Sequence, residues 1–281
     1  MVVHQHRRWH GRGAGAAGAL AVLLGTVGCG GGATDGKPAA DGVAVVRGAA
    51  DVLTREGSAQ ARTAMEMATG GTRVTIRGEG GVDFKNRMGQ LLVMLPADVT
   101  GKPGHRPITE LLAPGALYMK NRGAGVPADK WVRVDTTTLG DGNLVTGGAT
   151  DPLAAAELLR GAEQVTYVGE TELAGTKVRH YRGTTDIGRA ARSASPQVKG
   201  ALEAAAKGFS KDVVPFDAYL DEQGRLRKVR HRFSYENNGV IDVSSTTLLY
   251  GFGTPVTVVL PASEDIYAGK IADQPPGRPP G

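Results

Sequence analysis

Hydrophobic positions along most of this chain recur with a period of two. The clearest stretch runs from Arg73 to Lys85. There Val74, Ile76, Gly78, Gly80, Val82 and Phe84 fall on one face, and Thr75, Arg77, Glu79, Gly81, Asp83 and Lys85 on the other. A helix would not sort residues this way; such alternation makes a half-buried strand. The same-face pair Gly78 and Gly80 predicts a bend or bulge in mid-strand. Further strands are expected at 58–68, 87–95, 115–121, 130–135, 164–172, 176–186, 213–221, 225–236 and 239–250. Asp221-Glu222-Gln223-Gly224 and Asn237-Asn238-Gly239 carry hairpin chemistry between them. Strands in hairpin order build a large antiparallel sheet.

Three segments read as helices instead. Asp151 is an N-cap followed by Pro152 at the first helical position, then Leu153, Leu158 and Leu159, with Gly161 as the stop. Ser195-Pro196 opens a second that runs to Lys207 and closes at Gly208, with Val198, Ala201, Leu202 and Ala205 on one stripe. The third covers Val43 to Leu53, with Val45, Val46, Ala49, Val52 and Leu53 on its apolar side. The fold class is therefore α+β: a large sheet whose apolar face needs a cover, and short helices to supply part of it. A bulky residue at Gly80 would then fill space where sheet and helices meet.

The two ends stand outside this pattern. Arg7, Arg8 and Arg12 precede an apolar run of small residues from Ala14 to Val27, and Cys29 follows. That order is a secretory signal, assigned to 1–28. The run falls short of the ~20 apolar residues a membrane span needs. Cys29 is the one cysteine of the chain, so neither a disulfide nor a cysteine metal cluster is open to it. With Gly30-Gly31-Gly32 behind it, it resembles the lipobox cysteine of bacterial lipoproteins. In those proteins the sulfur takes a diacylglycerol and the peptidase cuts just before it. Arg7-Arg8 leaves Sec and twin-arginine export both open. Residues 29–41 read as a flexible tether, 42–268 as one domain, and 269–281, with four prolines, as a disordered tail.

Removing the signal changes the charge argument. It takes three arginines and no acid, so the formal net charge falls from +5 to +2. A basic pI therefore implies no nucleic-acid partner. Lys228, Arg230 and Arg232 share one face of a strand. They read either as a solvated outer face or as a surface for anionic lipid headgroups.

Catalytic chemistry is hard to find. His105, His180 and His231 stand at no metal-ligand spacing, and His231 alternates with Val229, Phe233 and Tyr235 as a wall residue. No serine sits in a nucleophile elbow, and no nucleophile, base and oxyanion donors come together. The GxGxxG match at Gly13–Gly18 lies in the signal, and the near phosphate loop at Gly31–Lys37 has Pro38 where Ser or Thr must stand. Neither an enzyme, a metal nor a cofactor is expected.

Several segments carry a family resemblance. They are the Gly-studded strand Val74–Phe84, Gly115–Met119 with Trp131–Asp135, the capped helix start Asp151-Pro152-Leu153, Thr176–Arg182, Val214–Asp221 into Gly224–Arg227, and the closing Gly251–Pro261. In these the chain resembles the LppX/LprG family of bacterial lipoproteins. The resemblance implies a LolA-like fold, a strongly curved, incompletely closed β-barrel with short helices on its concave face. It also implies lipid or lipoglycan in the space between. Val74, Ile76, Val82, Phe84, Leu153, Leu158, Val229 and Phe233 are the candidate pocket wall. The expected partners are that lipid, the membrane through lipidated Cys29 at its outer face, and a membrane transporter, for a monomer. The competing reading is an envelope lipoprotein that binds protein and carries no lipid.

Overall fold

In the computed structural model, residues 39–69, 72–96, 106–123, 125–145, 151–209, 211–236 and 240–269 are described. All lie within one compact unit, Lys37–Gly281. Cys29, the signal and most of the tether and tail lie outside the described residues.

Among the described residues eleven strands form a single antiparallel sheet. They are β1 (Ser58–Thr69), β2 (Thr72–Asp83), β3 (Met88–Met94), β4 (Ile108–Ala113), β5 (Ala116–Lys120), β6 (Trp131–Asp135), β7 (Ala162–Leu173), β8 (Thr176–Asp186), β9 (Val213–Asp221), β10 (Leu226–Glu236) and β11 (Val240–Tyr250). Two meanders, β1 to β6 and β7 to β11, join where β1 pairs with β11, giving the order β6-β5-β4-β3-β2-β1-β11-β10-β9-β8-β7. The sheet is not closed, since β6 and β7 are its two ends. Val132 of β6 and Ala162 and Val165 of β7 belong to one apolar cluster, so the buried layer runs from one end of the sheet to the other.

Among the described residues five α-helices accompany the sheet: α1 (Ala39–Arg47), α2 (Ala49–Glu56), α3 (Pro152–Leu158), α4 (Ile187–Ser193) and α5 (Pro196–Gly208). The capping chemistry of α3 is as expected: the Asp151 carboxylate accepts from Leu153 N at 2.7 Å, with Pro152 next. The N-terminal helix is in fact two, divided at Gly48. Two elements escaped the pattern. Helix α4 follows β8 without a loop, and Asp186 caps it. Strand β4 reads Ile-Thr-Glu-Leu-Leu-Ala, and its buried Glu110 and Leu111 break the alternation that would announce a strand.

Gly80 has a role different from the expected one. A Cβ there would stand 1.9 Å from the Gln90 carbonyl oxygen, inside the backbone of β3. The glycine lets β2 and β3 close on each other, and the register runs through Gly78 and Gly80 without the expected bulge. It does not face open space beneath the helices, so a leucine at this position would collide with the sheet rather than fill a cavity.

Candidate functional site

The parity of the strands decides what faces the helices. Inward positions are Ala59, Ala61, Thr63 and Met65 on β1, Val229, His231 and Phe233 on β10, and Val243, Ser245, Thr247 and Leu249 on β11, all buried. Apolar inward side chains form two clusters. Ile76, Val82, Phe84, Leu153 and Val229 belong to the first, with Val74 packed against it. Leu158 and Phe233 belong to the second, with Met65, Val243 and Leu202. All eight candidate wall residues thus lie in the layer between sheet and helices, divided between two clusters. Val82, Phe84 and Leu158 are at most 1 % exposed, so no water-sized void borders them. In this conformation the layer is packed.

Between the clusters lies a polar belt. Thr63 of β1 is paired directly with Thr247 of β11, and His231 of β10 is paired with Ser245, two residues along. Thr63, Thr247 and His231 are each under 5 % exposed. Their Oγ1, Oγ1 and Nε2 atoms find no hydrogen-bond partner among the described residues. The His231 ring lies 6.3 Å from that of Phe216 and 5.9 Å from that of Phe233. Burial pushes its pKa down to about 3, which keeps the imidazole neutral.

A further polar group faces inward near the β6 end. Glu110 of β4 lies between Leu91 of β3 and Met119 of β5. It is 1 % exposed and its Oε1 is unpartnered among the described residues. Burial pushes its pKa up to about 8; Arg122 opposes the shift and Asp151 reinforces it.

The helix cover is short and rich in alanine. Ala154, Ala155 and Ala156 of α3, Ala190 and Ala191 of α4, and Ala201 and Ala205 of α5 are all buried. One end of the cover is tied down by charge. Glu157 of α3, fully buried, meets Arg87 at 2.8 Å and Arg160 at 2.7 Å, and Arg160 reaches Asp51 of α2 at 2.7 Å. Ser195 N, at the start of α5, donates to the same Glu157 at 3.1 Å. This network joins the β2–β3 turn to three helices.

The outer face is arranged differently. Lys228, Arg230 and Arg232 do share it, but they are engaged. Asp217 of β9 takes His180 Nε2 at 2.8 Å, Arg182 Nε at 3.0 Å and the Arg232 guanidinium. Arg230 Nε donates to Ser244 Oγ at 2.6 Å, and the Lys228 ammonium stands 5.2 Å from the centre of the Tyr219 ring. Burial pushes the Asp217 pKa up, but the bonds from His180, Arg232 and Arg182 outweigh it and bring it down to about 2.

The belt and Glu110 were not singled out in the sequence, although His231 was placed as a wall residue. Thr63 could have been found by continuing the alternation of Ala59 and Ala61. Glu110 could not, because its strand went unseen.

No family model matches the sequence, and no curated protein matches it. Solved structures do show likeness of fold. The Mycobacterium tuberculosis lipoprotein LppX is 11% identical with a TM-score of 0.49, over 79% of this chain and 100% of that one. LprF from Mycobacterium bovis is 14% identical with a TM-score of 0.42, over 81% and 100%. A LolA superfamily protein from Nitrosomonas europaea is 9% identical with a TM-score of 0.34, over 73% and 90%.

Proposed function

We propose that this chain is an exported lipoprotein, held at the outer face of the membrane by lipid on Cys29. It binds and carries or presents amphipathic lipid or lipoglycan between sheet and helices. The observation that carries this reading is the mismatch between the two layers. An inner face of eleven strands, apolar on either side of the polar belt, is covered by short helices whose buried side chains include many alanines beside a few large ones such as Leu53, Leu158, Ile187 and Leu202. Burial free energy scales with apolar area, so a methyl contributes far less than the leucine-sized groups opposite it. The cover is thus the layer that separates at least cost, and an acyl chain can replace its contacts in kind. The charged tie through Glu157 holds one end while the remainder moves. The lipobox-like setting of Cys29 supports anchoring: a diacylglycerol there would supply two chains, enough for stable membrane attachment. No helix among the described residues is long and apolar enough to cross a membrane.

The test has two parts. Cys29→Ala should abolish metabolic labelling with palmitate and leave the precursor uncut; a labelled, mature-sized variant contradicts the anchoring. The delipidated protein should bind a fluorescent fatty acid saturably at about one per chain, since pockets of this kind are few per protein. Absence of saturable binding contradicts the carrier reading.

A second reading, a protein-binding adaptor, draws on the edge strand β7, where Tyr167 and Val168 are exposed. Bulges between Glu163 and Thr166 and between Tyr167 and Gly169 interrupt its ladder. Such bulges discourage strand addition, which favours the carrier reading.

A further inference from the structure

The belt of Thr63, Thr247 and His231 is an expense the fold did not need. A buried hydroxyl without a partner is destabilising, and Val has nearly the shape of Thr without that cost. Stability alone would therefore place Val at positions 63 and 247. Three such atoms stand on three neighbouring strands, at the seam between two apolar clusters. The arrangement is the complement of a molecule that is apolar at both ends and polar in the middle.

We propose that the belt is a hydrogen-bonding subsite for a neutral polar group, an ester or a hydroxyl, set within the apolar length of the ligand. This rests on the carrier reading and deepens it. The chemistry of the three residues sets the class. A threonine hydroxyl donates and accepts, and a neutral imidazole does one at each nitrogen, so the belt can serve a carbonyl oxygen or a hydroxyl. No Lys or Arg belongs to it. A carboxylate or phosphate buried there would be unpaired, and burying an unpaired charge is far costlier than burying a dipole. The charged end of an amphipathic ligand therefore lies elsewhere, and the clusters on either side of the belt take its apolar arms.

The experiment is displacement of a bound fluorescent fatty acid by two competitors of equal length, a saturated fatty acid and its mid-chain hydroxy derivative. The parent should be displaced by the hydroxy acid at about tenfold lower concentration, the effect of one net hydrogen bond of ordinary strength. The double variant Thr63→Val/Thr247→Val should lose that preference while still binding the saturated acid. The double variant Thr63→Ser/Thr247→Ser should keep it, which separates the hydroxyl from the packing. Equal displacement by both competitors in the parent overturns the subsite and leaves the carrier reading standing. So does a preference that survives the valine variant. If the parent binds no fatty acid at all, the carrier reading falls and the subsite with it. Thermal unfolding of each variant confirms that the fold is intact. Should the valine pair fail to fold, His231→Phe replaces it, with the same loss of preference expected.

Discussion

Two buried carboxylates on this sheet meet opposite fates. Asp217, on the outer face, is surrounded by His180, Arg182 and Arg232 and held down to about 2. Glu110, on the inner face, has an oxygen without a partner among the described residues and is pushed up to about 8 by burial. The contrast extends to their neighbours. On the outer side Arg230 bonds Ser244 and Lys228 lies against Tyr219. On the inner side Thr63, Thr247 and His231 leave polar atoms unmet. Outer polar groups are satisfied and belong to the scaffold. Glu110, Thr63, Thr247 and His231 each keep an unmet inner atom among the described residues, and the carrier reading assigns those of the belt to a bound ligand.

That division can be broken at three points. The largest effect is expected at Glu110. Its pKa in the fold lies above the ordinary 4.5, at about 8. The folded state therefore holds a proton that the unfolded state has released, and its stabilising effect, complete below 4.5, is lost as pH rises through about 8. Between pH 5 and 8 the parent should lose roughly 3 kcal/mol that Glu110→Gln retains. Urea unfolding of both across this range reads the difference. Parallel curves would mean that Glu110 is ionised and partnered.

Next is Asp217→Asn, which strips the outer network of its charge and leaves three donors around a neutral amide. Arg182 and Arg232 are substantially exposed and can turn to water, so a loss of about 2 kcal/mol is expected rather than the full price of a broken buried pair. A neutral result would show the outer network to be decoration.

The smallest effect has the opposite sign. Thr63→Val and Thr247→Val should each raise stability, by about 1 kcal/mol, because they remove an unmet hydroxyl without changing shape. A loss at either position would show its hydroxyl to be partnered, and the distinction between the two faces would fail there.

The alternation of Val74, Ile76, Val82 and Phe84 was enough to place one face of β2 inward, and Asp151-Pro152 was enough to start α3. These features are local, set by parity and capping, and a sequence displays them directly. What was not legible depends on neighbours far along the chain. Gly80 looked like spare space on the inner face, but the reason for the glycine is the Gln90 carbonyl of the adjacent strand. Thr63 and Thr247 look like ordinary strand threonines, since β-branched residues suit strands. They acquire meaning only when register places them side by side beneath the helices. Glu110 was hidden because β4 is buried on both sides at Leu111 and carries its acid inward, against the rule that sorts charge to the surface.

The central claim is that the layer between sheet and helices admits a lipid. Mass spectrometry of the mature full-length protein, in native and then denaturing conditions, tests it most directly. Covalent lipid on Cys29 contributes to both masses, so their difference is what the fold holds non-covalently. The account predicts a discrete difference equal to one amphipathic lipid, removed by organic solvent and restored by adding lipid back. Identical native and denatured masses in protein taken from its own membrane, unchanged when lipid is supplied, would contradict it.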